Sequence, residues 1–256
     1  MKRTLMTLFI CLTLAVAAVQ AQDKPAQAKA PDAKSTALPT ADQIIDKYVQ
    51  AIGGKAAVEK LNSRLEKGTF ELAAMGLSAP FESYSKAPNK TVFTIDISGV
   101  GTIQRGYNGT VGWSSDPQTG LREMSGGELA QTKLGSDFYR DVKLKELYPK
   151  RTVKGVEKVG DRDAYVVEAT SADGITETMY FDTQSGLLVR TDADAESPQG
   201  KQHVTALISD YREVDGVKIP FTLVQKTPQF EITIKLDTVK HNVPVEDTKF
   251  NKPAAQ

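Results

Sequence analysis

Few side chains in this chain are of a type and spacing that does covalent or metal chemistry. The two histidines, His203 and His241, sit in strand-like stretches far from any HxxH or HExxH spacing. A zinc site draws several ligands together, so strand or surface histidines are the preferred reading over metal ligands. There is no GxSxG nucleophile elbow, no GxxxxGK[ST] phosphate loop and no strand–GxGxxG–helix unit. Gly99-Val100-Gly101 has the glycine rhythm of the last, but strand-like sequence follows it and a hairpin is the better reading. The run Asp192-Ala193-Asp194-Ala195-Glu196 suggests calcium, yet it lacks the glycine and the distal glutamate of the calcium loop. On a strand those three acids share one side, which fits a solvated loop or edge. Asn89-Lys90-Thr91 and Asn108-Gly109-Thr110 match the glycosylation acceptor pattern, although a turn accounts better for Asn108. Trp113, the only tryptophan, can pack a hairpin core or line an apolar pocket, and packing is weighed first. No cofactor, no metal and no enzymatic activity are expected from these residues.

The elements around them begin with an export signal. Lys2 and Arg3 precede an apolar run at 5–19, and Val19-Gln20-Ala21 offers a cleavage site, so residues 1–21 are expected to be removed. The run is shorter than the ~20 residues of a spanning helix; no integral membrane segment is expected after cleavage. The only cysteine, Cys11, falls inside the run and follows Ile10 rather than a small residue, so lipid attachment is not expected. The remaining chain has no cysteine and must be held by its core. The 32 basic and 32 acidic residues balance, and loss of Lys2 and Arg3 leaves a net −2. A chain so balanced has no electrostatic footprint for nucleic acid. Residues 22–39, rich in alanine, lysine and proline, read as a disordered linker. Residues 40–250 read as one β-rich domain and 251–256 as a flexible tail.

Thr40 and Gln43 form a capping-box pattern. Ile44, Ile45, Tyr48, Val49 and Ile52 recur at helical spacing, Gly53-Gly54 ends the helix, and a second short helix is expected over 55–61. The period then becomes two: Phe70 and Leu72, then Phe93, Ile95 and Ile97, then Phe230, Ile232, Ile234 and Leu236 alternate with polar residues. This is the pattern of antiparallel strands with one apolar face. Asn108-Gly109 and Asp215-Gly216 signal tight hairpins. Asp116-Pro-Gln-Thr-Gly120 and Asp182-Thr-Gln-Ser-Gly186 read as one turn used twice. Residues 126–148 lack alternation and predict one or two short helices carrying Leu129, Phe138, Val142 and Leu147. The layout is thus N-terminal helices, about six strands, a helical insertion and about seven strands. Pro220 predicts an edge or a bulge for its strand.

The stretches TADQIIDKYVQAIGGKAAVEKL (40–61), YNGTVGW (107–113), YFDTQSGLLVR (180–190) and SDYREVDGVKIPF (209–221) resemble the periplasmic lipoprotein-carrier superfamily, the LolA-like proteins. The resemblance implies a mainly β (α+β) fold: a strongly curved, unclosed antiparallel sheet, a half-barrel, with a few helices over the concave face and a cavity for acyl chains. Independently, about a dozen strands with one apolar face curl or split rather than stay flat, and an unfilled apolar concavity is the usual form of a small-molecule site. The leading expectation is a soluble periplasmic carrier or receptor for a lipid or an acylated protein. A dry-core envelope interaction module of the same fold, reading envelope proteins, is the alternative; an enzyme using convergent carboxylates ranks below both. The expected cavity wall is Phe70, Leu72, Phe93, Ile95 and Trp113 from strands, with Ile45, Val49 and Phe138 from helices.

Overall fold

The computed structural model describes residues 37–197 and 200–254. The expected signal and nearly all of the expected linker lie outside the described residues, and the folded unit begins at Leu38. Its first element, α1 (Ala41–Ala51), starts at the capping box: Gln43 N–H donates to Thr40 Oγ1 at 3.2 Å and Thr40 N–H donates to Gln43 Oε1 at 2.9 Å. A short α2 (Lys55–Val58) follows and ends earlier than expected. Six strands come next: β1 (Ser63–Leu72), β2 (Leu77–Lys86), β3 (Lys90–Ile97), β4 (Gly101–Tyr107), β5 (Gly112–Asp116) and β6 (Gly120–Glu123). The insertion holds α3 (Gly126–Gly135), a 3-10 turn at Arg140–Val142 and α4 (Leu144–Leu147). Seven strands complete the fold: β7 (Lys150–Val159), β8 (Arg162–Thr170), β9 (Thr176–Asp182), β10 (Leu188–Ser197), β11 (Gly200–Val214), β12 (Val217–Lys226) and β13 (Glu231–His241). A 3-10 turn, Asp247–Phe250, follows the last strand.

All 13 strands form one antiparallel sheet, ordered β6-β5-β4-β3-β2-β1-β13-β12-β11-β10-β9-β8-β7. Every neighbour but one is sequential; the exception, β1 against β13, joins the first strand to the last. β6 and β7 are the two free edges, and the helical insertion connects them. The sheet is therefore curved and unclosed.

The turn chemistry follows the sequence at Asp215-Gly216 but not at Asn108-Gly109, where Asn108 keeps negative φ, its Oδ1 accepts from the N–H groups of Thr110 and Val111, and four residues separate the paired Tyr107 and Gly112. Asp215 and Gly216 take φ of +53° and +79° between the paired residues Val214 and Val217, the two-residue hairpin with both central residues left-handed. Asp116 Oδ1 accepts from the N–H groups of Gln118 and Thr119, and Asp182 Oδ1 accepts from those of Gln184 and Ser185. Gly120 and Gly186 then close these turns at φ +72° and +76°, so the two share one backbone solution. Pro220 departs from expectation: β12 is an interior strand. Its ladder with β13 begins only at Thr222, so the missing N–H leaves no gap there, and its ladder with β11 skips Asp210, which sits at φ +54°.

Cross-strand partners share a face, which allows the inner surface to be followed across the sheet. Val167, Met179, Thr191, Ala206, Gln225, Ile232, Leu72 and Leu77 stand opposite one another in turn from β8 to β2. On the β8–β10 and β12 side, this face carries the helices: Ile44, Ile45, Tyr48, Val58, Leu144 and Tyr148 pack with Val167, Met179, Phe181, Ile219 and Phe221. On the β1–β3 side, Phe70, Ala79, Phe81, Ile95 and Ile97 form a second cluster without buried helical residues.

Candidate functional site: an apolar pocket in the concave face

The row Leu223–Ile234–Phe70–Ala79 and the row Leu236–Gly68–Phe81–Ile95 run side by side across β12, β13, β1, β2 and β3. Where the curved sheet brings these rows toward Ile208 and Phe221, it leaves a pocket of about 290 Å³. Its walls are mostly apolar: Phe81, Phe93, Ile208, Phe221, Leu223, Ile234 and Leu236, with Glu66 and Ser83 at one end. The Phe81 and Phe93 rings lie 5.4 Å apart between centroids. Water exclusion and dispersion make such a surface receptive to apolar groups.

A second, larger pocket of about 570 Å³ adjoins the first, sharing Phe93. Ile232 and Gln225, each two residues along the strand from the inner pocket's Ile234 and Leu223, line it, as do Arg105, Met124, Val204 and Phe230. Its cover is α3. That helix has no fully buried residue and is held by polar straps at both sides. Arg122 of β6 grips Glu128 with two bonds of 2.7 Å. On the other side β9 stops pairing with β10 at Ala193, and the Gln131 amide takes over. It donates to Asp194 O at 2.6 Å and accepts from Glu196 N–H at 2.9 Å, satisfying backbone groups that no strand reaches.

The later part of the insertion is bolted down more firmly. Arg140 donates to Glu177 of β9 at 2.6 Å and to the Tyr148 hydroxyl at 2.8 Å, and Tyr148 donates to Glu177 at 2.6 Å. Burial opposes the charge on Arg140, but Glu177, Tyr148 and Asp141 together more than offset it and hold the guanidinium charged. Tyr48 of α1 donates to Asp141 at 3.0 Å; burial first, then that carboxylate, push its hydroxyl well above the usual tyrosine range.

Of the eight residues expected in the wall, Phe70, Leu72, Phe93 and Ile95 share the inner face and one cluster. Ile45, Val49 and Phe138 belong to the neighbouring helix–sheet cluster, with Ile45 2% exposed, and the two clusters meet at Leu236. Trp113 requires correction as a cavity residue. Arg105, the partner of Phe93, pairs with Ser114, whereas Trp113 pairs with Gly106, so the indole points to the opposite face. There it packs against Val92 and Phe250 and donates to Phe250 O at 2.9 Å. Gly106 makes that seat possible: a Cβ on it would lie 2.5 Å from the indole. Phe81, Ile208, Phe221, Leu223, Ile234 and Arg105 line the pockets without having been singled out. Phe221 and Leu223 stand two residues apart on β12 and so share a face, but their spacing does not say which face turns inward.

The other candidates have structural partners. His203 faces Asp194 at 3.2 Å on the surface. His241 is buried at its side chain beside Asp215 at 3.0 Å, with Nε2 unpartnered. Asp192 is held by Arg190, Tyr180 and Thr205. Gly99 and Val100 form the β3–β4 hairpin. Among the described residues no group of three or more His, Cys, Asp or Glu side chains could hold a metal, and no helix is long and apolar enough to cross a membrane.

Known structures share this architecture. A DUF1329 family protein from Desulfovibrio piger superposes with a TM-score of 0.58 at 16% identity, covering 84% of this chain and 98% of that one. A LolA superfamily protein from Nitrosomonas europaea gives 0.56 at 12% identity, covering 84% and 99%. The fold is LolA-like. An outer-membrane lipoprotein-sorting protein domain from Vibrio parahaemolyticus gives 0.55 at 13% identity over 82% of this chain and 97% of that one. At these identities the LolA-like likeness is one of fold. No family model matches the chain. A uroporphyrinogen decarboxylase from Actinobacillus succinogenes aligns at 33% identity over 51% of this chain and 36% of its own length. The chain thus spans about a third of that relative.

Proposed function

We propose that this protein is an exported, periplasmic carrier or receptor that takes up the acyl chain of a lipid or an acylated protein in its concave face. The observation that carries this reading is the unfilled apolar pocket of about 290 Å³ between Phe81, Phe93, Phe221, Leu223 and Ile234, adjoining a larger, more polar one at Phe93. A core built only for stability closes such space, because unfilled apolar volume costs packing energy. The LolA-like architecture and the signal pattern at 1–21 support the same reading. Each buried methylene contributes about 0.8 kcal/mol, so half a dozen give roughly 5 kcal/mol, enough to retain a chain and still release it.

Native mass spectrometry of the protein purified from its own envelope is expected to show a co-purified lipid mass. A fluorescent fatty-acid probe is expected to bind, and Ile234→Trp, which fills the pocket without adding charge, is expected to weaken it while circular dichroism stays unchanged. A clean ligand-free mass together with no probe binding overturns the carrier reading in favour of a dry-core interaction module.

A further inference from the structure

We propose that the two adjoining pockets select amphiphiles with an anionic head, a carboxylate or a phosphate monoester, and that Arg105 receives that head. This rests on the acyl-binding reading and adds the class of ligand. The argument starts from charge. Three charged side chains line the larger pocket: Arg105, Glu128 and Glu196. Both carboxylates are already matched, Glu128 by Arg122 through two bonds of 2.7 Å and Glu196 by Lys201 at 3.2 Å. Arg105 has no ion pair and no side-chain hydrogen bond among the described residues; its field reaches Asp116 only as the least of the causes that lower that carboxyl. The pocket therefore presents one uncompensated cation.

Its position suits a head group. Arg105 is exposed and stands directly across from Phe93, the residue shared by both pockets. A chain lying over Phe93 toward Phe81 and Ile234 leaves its head at Arg105. On the other side Arg105 pairs with Ser114 of β5, which is 3% exposed and whose Oγ is buried without a hydrogen-bond partner. Ser114 lines neither pocket, so recognition of the head falls to Arg105. Guanidinium binds carboxylate and phosphate oxygens through bonds in which both partners are charged, and a neutral head offers no charge to pair with it.

Isothermal titration calorimetry of the purified protein with dodecyl phosphate, with uncharged monolauroylglycerol and with inorganic phosphate tests the assignment. The expected result is binding of dodecyl phosphate about tenfold tighter than monolauroylglycerol, the low end for a hydrogen bond to a charged group, and weaker at high salt. Inorganic phosphate alone is expected not to bind. Arg105→Gln is expected to bring the ratio of the two amphiphiles to within about twofold, Arg105→Lys to keep a preference, and Lys158→Gln, on the distant edge strand β7, to leave it intact. Equal binding of the two amphiphiles by the wild type overturns head-group selection and leaves the acyl pocket standing. Binding of neither overturns both. Inorganic phosphate binding as tightly as dodecyl phosphate marks a free-anion site and overturns the amphiphile assignment, and an unchanged preference in Arg105→Gln overturns the role of Arg105.

Discussion

Phe250→Ala probes the outer face, where the chain's last turn covers its only tryptophan. Phe250 is 0% exposed and packs on Val92 and Trp113. The turn that carries it is tethered by Asp247, whose carboxylate meets Lys86 at 2.8 Å and Lys90 at 2.6 Å; these two partners hold the carboxyl down to about 2. Truncating a buried phenylalanine costs about 3–5 kcal/mol. Here the turn is peripheral and can lift away instead of leaving a sealed void, which places the expected loss near 3 kcal/mol, the low end. Lifting also breaks the bond from Trp113 Nε1 to Phe250 O, a contribution of about 1 kcal/mol within that sum. Urea unfolding followed by circular dichroism is expected to show a lower midpoint with an unchanged slope. Native tryptophan emission is expected to move to the red, because water reaches the indole once its cover is gone. A variant with wild-type midpoint and emission refutes this account of the outer face. The same geometry predicts that saturating the acyl pocket leaves Trp113 emission unmoved, since the indole points away from it.

His241 gives a pH dependence with a definite sign. Burial first, then the Arg64 charge, lower its pKa from 6.5, against the pull of Asp215 and Glu66. The unfolded chain takes up the proton first, so His241's contribution to stability is complete above pH 6.5 and is lost as pH falls through the folded value. His241→Gln is expected to flatten the acid limb of a stability–pH profile below about pH 6.5; an unchanged limb refutes the assignment. Gly120→Val and Gly186→Val each force a β-branched residue to positive φ, at about 2 kcal/mol. Gly186→Val is expected to cost about 1 kcal/mol more by thermal unfolding, because a Cβ there lies 2.8 Å from Lys47 Cγ while Gly120 has open space around it. Equal losses at the two sites remove Lys47 from the explanation.

What the sequence by itself determined were features written within a few residues of one another. The Thr40–Gln43 box, the Asp215-Gly216 hairpin, the twin turns at Asp116–Gly120 and Asp182–Gly186, and the break in alternation across 126–148 depend on local backbone chemistry. With alternation they yielded six strands, a helical insertion and seven strands. The relative facing of Phe70 with Leu72 and of Phe93 with Ile95 was also legible, since side chains recur every second residue. Which face turned inward was not. Period two leaves a binary choice for every strand, and a shift of one residue in pairing reverses it. Trp113 and Ser114 are neighbours in sequence, yet the pairing of Gly106 with Trp113 and of Arg105 with Ser114 sends one outward and the other inward. The same holds for Pro220, whose strand, expected at an edge or bulged, lies between β11 and β13, and for Arg105, whose lack of a counterion exists only relative to Arg122 and Lys201. The closing of β1 on β13 joins Arg64 to His241 across most of the chain, and it is this long-range pairing that sets Ile234 and Leu236 beside Phe70 and Phe81. No local window of sequence contains that register, because its energy is the sum over the ladder and the packed face rather than a property of either strand.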